Sequence, residues 1–196
     1  MSSFFVHSYL WEKGESPSSY NPYTLVMEQV MTEVGEVFFA LISTDDELAG
    51  RLLLWFYEDA VTLLCHYGLH ALMARSFHKT VRSYCKKEYP PDYAVVLCNK
   101  KHFFAERNGD LDVRILRKWD TFRPKKQLGR KRKNDAFFLC PASFYWVFSE
   151  KTVSQVLGKK NHKMQSAPEI HKRLQELRRR EISRVGKKKT GMIYVR

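Results

Sequence analysis

Apolar positions along this chain of 196 residues change their period near residue 90. Residues 1–20 sustain no period and read as an irregular arm ending in a turn-rich stretch at 14–21. Pro22 suits a first helical turn, and Leu25, Met27, Val30, Met31 and Val34 give a rough helical spacing up to Gly35, which predicts a helix. The continuous apolar run at 37–42 fits a buried strand or a helix equally well. Ser43 and Thr44 stand three residues before Asp46 and Glu47, the spacing of a capping box. A helix is therefore predicted from there through Trp55 and Leu64 to a break at Gly68. Another is predicted over 69–87, where Leu69, Leu72, Met73, Ser76, Phe77, Thr80 and Tyr84 share one side. Tyr89-Pro90-Pro91-Asp92 ends it.

Beyond residue 92 the period becomes that of strands. Short apolar runs at 93–98, 102–107 and 111–119 flank Asn99-Lys100-Lys101 and Asn108-Gly109-Asp110, and Asn-Gly between such runs marks a hairpin. The expectation is a three-stranded meander, with another strand or two from the aromatic run 136–148 around Pro141. Ser166 with Pro168 opens a charged helix reaching about Val185, and Lys187-Lys188-Lys189 leads to an apolar tail at 192–195. The predicted fold is α+β: an N-terminal helical layer packed on an antiparallel sheet of three to five strands, with a basic C-terminal helix. Residues 1–165 are expected to form one domain, with an acidic helical half at 1–88 and a strand-rich half at 89–150. Residues 166–196 are expected to form a basic helix and tail.

Composition supports a packed core, since 44% of residues are apolar and 14% aromatic. Four cysteines without a dense framework favour reduced thiols, and acids follow the N-terminus closely, so no signal peptide or presequence is expected. The longest apolar stretch, 52–73, is interrupted by Glu58, Asp59, His66 and His70 and is too polar to span a bilayer. A nuclear and cytoplasmic location is the expectation.

Charge changes the picture most. Residues 1–60 hold ten acids against two bases, a balance of −8, so a net +13 overall leaves +21 on the other 136 residues. Such asymmetry points to a polyanionic counter-surface: nucleic acid, an anionic membrane or an acidic protein. Arg75, Lys79, Arg82 and Lys86 form a stripe on the predicted 69–87 helix, opposite its apolar side and about 16 Å long, the scale of several successive phosphates. A solvated helix face explains the same stripe. Arg123, Lys125, Lys126, Arg130, Lys131, Arg132 and Lys133 put seven cations into eleven residues. Pro124 and Gly129 are expected to keep that segment extended, as a phosphate-binding loop or a signal for a nuclear import receptor. Arg178, Arg179 and Arg180 add charge to the C-terminal helix, whose apolar edge has no Trp or Phe, so a membrane is less favoured than nucleic acid. Phe103, Phe104, Trp119, Phe122, Phe137 and Phe138 could stack unpaired bases, though core packing explains most of them.

Metal and catalytic signals are weaker. His78, Cys85, Cys98 and His102 follow the order of a two-Cys, two-His zinc site, and a mixed set with His66 and His70 is also conceivable. His78 and Cys85 lie about 10.5 Å apart along a continuous helix, whereas ligand atoms converge within about 4 Å. Cys85, Cys98 and His102 remain weak metal candidates, packed thiols are the expectation, and no cofactor is implied. Glu106, Asp110 and Asp112 beside Arg114 resemble a nuclease-like metal site, but turn acids explain them at lower cost. No P-loop, G-x-S-x-G, H-E-x-x-H or dinucleotide-binding glycine pattern occurs. The expectation is a non-catalytic nucleic-acid-binding protein, RNA ahead of DNA, of the kind found among small viral regulatory proteins. Its rival is a matrix-like adaptor whose opposite halves self-associate into a homo-oligomer or grip an acidic protein partner.

Overall fold

The computed structural model of the chain describes residues 6–11, 23–33, 35–68, 71–85, 89–117, 120–132, 135–142, 144, 149, 151–153, 172, 176 and 190–195, with 6–11 and 190–195 described through their backbone. In chain order the strands are β1 (Val6–Trp11), β2 (Thr24–Thr32), β3 (Gly35–Ser43), β4 (Tyr93–Cys98), β5 (His102–Asn108), β6 (Leu111–Arg117), β7 (Asp120–Phe122), β8 (Leu128–Arg130), β9 (Ala136–Pro141) and β10 (Thr190–Val195). Between β3 and β4 come α1 (Asp46–Trp55), a π-helical turn (Phe56–Ala60), α2 (Val61–Tyr67) and α3 (Ala71–Tyr84). The strands form two five-stranded antiparallel sheets. One is ordered β1-β10-β9-β6-β7 and the other β2-β3-β4-β5-β8.

Side-chain alternation explains how the layers stack. Phe38, Ala40 and Ile42 of β3, with Ala94, Val96 and Cys98 of β4, meet Val113 and Ile115 of β6 and Phe137 and Leu139 of β9 in one buried cluster between the sheets. Their neighbours Val37, Phe39, Leu41, Val95 and Leu97 point the other way, onto Leu48, Leu52, Trp55, Phe56 and Phe77 of the helices. Strands β3 and β4 are thus covered on both faces, which is why they read as unbroken apolar runs. Phe77 anchors the helical side, edge-on to Trp55 at 5.1 Å and to Phe104 at 5.3 Å.

The expected α+β arrangement, a helical layer on a meander, is not what forms. Residues 24–43 make the β2–β3 hairpin instead of a helix, paired without a break from Thr24↔Ser43 to Thr32↔Gly35. The apolar spacing there fits a period of two on its buried side: Val26 and Val30 pack on the helical core, while Leu25 packs on the inter-sheet core. Gly35, at φ 105°, opens β3 opposite Thr32 and does not end a helix.

The meander fails for a related reason. Strand β5 pairs with β4 and β8 in one sheet, while β6 pairs with β7 and β9 in the other. Asn108-Gly109-Asp110 is therefore a corner between sheets.

Local helix signals fared better. α1 starts close to the capping-box position, but Asp45 is the cap, its carboxylate accepting the Leu48 N–H at 2.6 Å, and Ser43 Oγ takes the Asp45 N–H. Gly68, at φ 70°, closes α2, and α3 occupies most of the 69–87 segment. The predicted helix at 166–185 lies outside the described residues apart from Lys172 and Glu176. Among the described residues no helix is long and apolar enough to cross a membrane.

Candidate functional site

Register brings several strand ends to one end of the sandwich. Thr24 faces Ser43, Ser43 faces Tyr93, Tyr93 faces Asn108, and Leu111 faces Pro141. Continuing the β9–β10 register sets the start of β10 beside Pro141. Asp92 organises this end. Its carbonyl accepts the Thr44 N–H at 3.0 Å, and its carboxylate accepts the Asp110 N–H at 3.1 Å while lying over Gly109, whose φ is 63°. Asn108 Nδ2 donates to the Pro90 and Pro91 carbonyls at 2.9 and 3.1 Å, and the Asp110 carbonyl accepts the Ala142 N–H at 2.7 Å. Tyr23 stands among these groups. Burial raises its phenol pKa, and the carboxylates of Asp92 and Asp110 raise it further.

A basic cluster sits one register step inward. Leu111, Val113 and Ile115 face the other sheet, so Asp112 and Arg114 point to the outer face of their own. Continuing the β6–β7 register puts Arg114 opposite Arg123, a like-charge pair that is unfavourable unless something neutralises it. Asp112, at 1% side-chain exposure, does so: Arg114 Nε donates to it at 2.7 Å and Arg123 Nε at 3.0 Å. Arg107 Nε approaches the same carboxylate at 3.5 Å. At the far end of β6, Arg117 makes a two-pronged pair with the buried Asp135, at 2.7 and 2.6 Å, and that pairing raises the guanidinium pKa.

Most of the sequence-derived candidates do not converge. Arg75, Lys79 and Arg82 lie exposed on α3, as a helix stripe should, and Lys86 is outside the described residues. The 123–133 segment is not a free extended loop. Arg123 is held by Asp112, Leu128–Arg130 is β8 with Arg130 opposite His102, and the Lys131 N–H donates to the Lys101 carbonyl at 2.8 Å. Lys125, Lys126 and Arg132 are exposed, and Lys133, Arg178, Arg179 and Arg180 lie outside the described residues.

The nuclease-like trio is dispersed. Glu106 takes a bond from Gln127 and faces His78, Asp112 is enclosed by arginines, and Asp110 is an exposed turn residue. Phe103, Phe137 and Phe138 are core residues, unavailable to stack bases. Among the described residues no three Asp, Glu, His or Cys side chains gather as a metal site. Cys98 is buried with its thiol pKa pushed up to about 12, unlike a ligating thiolate, while His102 is exposed at the start of β5.

The described sandwich of two face-to-face antiparallel sheets has its likeness among solved structures of PP2C-type phosphatases. Three solved structures superpose on the chain throughout. The serine/threonine phosphatase PstP/Ppp of Mycobacterium tuberculosis does so with TM-score 0.61 and 8% identity, covering 97% of each chain. The PP2C phosphatase domain of SpoIIE from Bacillus subtilis, solved with a fragment of its regulatory domain, gives 0.62 and 12%, covering 99% of this chain and 63% of that one. The catalytic domain of PstP in complex with two manganese ions gives 0.58 and 10%, covering 98% and 99%. No protein-family model matches the sequence, and no curated protein matches it.

These likenesses overturn the non-catalytic nucleic-acid-binding reading, together with its RNA or other nucleic-acid partner, its viral regulatory setting and the adaptor alternative. All three of these solved proteins are phosphatases. The run of cations at 123–133 misled in part because Arg123, counted as free, is held by the buried Asp112.

The manganese pair of one neighbour sets a test for the end of the sandwich. Divalent cations of this kind need several oxygen ligands converging on one point. Asp45 instead caps α1 and accepts the Tyr84 hydroxyl at 2.9 Å, Asp46 takes the Thr24 hydroxyl, and Asp92 holds the corner. The described residues do not fit a two-metal centre.

Proposed function

We propose that the chain acts on phosphorylated serine or threonine side chains of proteins, as a PP2C-type phosphatase does. The observation that carries this reading is the superposition on serine/threonine phosphatases over nearly the whole of both chains. Such a substrate is a dianionic ester at the end of a flexible side chain. Binding it takes donors and positive charge at a site open to a protein surface. One register step in from the corner the described residues offer the arginines around Asp112, of which Arg107 and Arg123 are exposed. Because the donor set does not fit a metal pair, no step of hydrolysis is assigned to a metal. What these residues do is orient and neutralise the phosphoryl group.

The test is phosphate release from phosphoserine and phosphothreonine peptides, run with manganese, with a chelator, and against the unphosphorylated peptides. Release that depends on the chain supports the reading. Neither release nor preferential binding of the phosphorylated peptide overturns it.

A further inference from the structure

The cluster on Asp112 carries more positive charge than Asp112 requires. A buried carboxylate is neutralised by one well-placed guanidinium, and Arg114, the least exposed of the three at 14%, supplies it at 2.7 Å. Arg123 adds a second and Arg107 a third, so three guanidiniums meet one carboxylate among the described residues where β5, β6 and β7 come together. All three approach through Nε, and the side chains of Arg107 and Arg123 are 41% and 49% exposed, so their outer edges face solvent. Guanidiniums packed this closely repel one another. Asp112 holds them in place without cancelling them, which preorganises donors for an incoming dianion. Two further carboxylates among the described residues are engaged elsewhere, Asp135 with Arg117 at 2.6 Å and Asp92 with the Asp110 N–H at 3.1 Å.

We propose that Arg107, Arg114 and Arg123, gathered on Asp112, form a binding site for the phosphate monoester of a phosphoserine or phosphothreonine in a protein partner. The proposal rests on the phosphoprotein reading above and deepens it by naming the residues that hold the phosphoryl group. Arg107 and Arg123 donate to its oxygens, and Arg114 is the fixed positive charge behind them.

The experiment measures binding of a fluorescent phosphoserine peptide to the full chain, with the unphosphorylated peptide, inorganic phosphate and a short RNA as separate arms. Arg107→Gln and Arg123→Gln should each weaken the phosphopeptide by about tenfold, as loss of a charge-assisted hydrogen bond does, with unchanged thermal unfolding. Arg123→Lys should recover only part of the loss, because an ammonium keeps the charge without the planar fork. Competition by inorganic phosphate supports a site for the phosphoryl group itself. Equal binding by wild type and both glutamine variants overturns the inference, as does RNA binding more tightly than phosphopeptide through the same arginines. Phosphate release is read in parallel to separate the two ideas. Release with no dependence on these arginines sinks the site and leaves the proposed function standing, whereas arginine-dependent binding without release keeps the site and removes the hydrolysis.

Discussion

Gly109→Ala is a sharp probe of the corner that joins the two sheets. Two costs arise. An alanine held at φ 63° sits in the left-handed region, which costs an L-residue about 1–2 kcal/mol. Its Cβ would also occupy the space of the Asp92 carboxylate, which must swing away and give up the Asp110 N–H, a bond of 3.1 Å contributing about 1 kcal/mol. The single variant should therefore lose about 2–3 kcal/mol. Asp92→Ala alone should lose only the hydrogen bond, about 1 kcal/mol, because the carbonyl that holds Thr44 belongs to the backbone and stays. The double variant separates the terms. With the carboxylate already displaced by the methyl group, removing it costs nothing more, so the pair should total about 2–3 kcal/mol, with a coupling of about 1 kcal/mol. Equilibrium urea unfolding measures all four proteins, provided the slopes agree. If the two single losses simply add, the methyl group does not displace Asp92 and the steric part of the reasoning is wrong.

Other expectations are simpler. Phe77→Ala, which empties the ring contacts with Trp55, Tyr93 and Phe104, should destabilise by about 3–5 kcal/mol in the same urea assay. Asp92→Ala should lower the Tyr23 phenol pKa, since it removes an anion that opposes ionisation; a phenolate absorbance titration of a variant retaining Tyr23 as the reporter tests this. Cys98, whose thiol is pushed up to about 12 from 9.0, stays protonated in the native state while an unfolded thiol ionises. Its contribution to stability is full below pH 9 and declines as pH rises toward 12, so Cys98→Ala should flatten the alkaline fall in unfolding free energy. Manganese at millimolar concentration should leave the thermal midpoint unchanged. A rise of several degrees would show a metal centre that the described carboxylates do not supply.

Legibility in the sequence followed the range of the interactions. The α1 start and α3 were readable because caps and helical periods are local. Strand β2 was not: Leu25, Met27, Val30 and Met31 match a helix loosely, and only pairing with β3 decides between the two periods. Asn108-Gly109 gave a true turn signal but no indication of which sheet each flanking strand would join. That depends on Phe103 and Ala105 packing across to Val113 and Phe137. The candidate site suffered in the same way. Arg114 and Asp112 were visible as neighbours, whereas Arg107 and Arg123 reach them only after β5, β6 and β7 are in place. Charge counting saw Arg123 as part of a free cationic segment because counting carries no information about a buried acid eleven residues away.

Strand β10 lies between β1 and β9, with Val6 opposite Val195. During synthesis β1 is made before the other nine described strands, yet its neighbour in the sheet follows only about 180 residues later. Until then β9 shows an open flank to the cell and β1 has nothing to pair with. Both are exposed backbone of the kind that recruits stray strands. A ribosome that stalls before residue 190 would release a chain with its helical side and second sheet ready to fold and its first sheet split in two. Such a product is a candidate for aggregation or for capture by chaperones. Supplying the 190–195 segment as a separate peptide would be a direct way to rescue it.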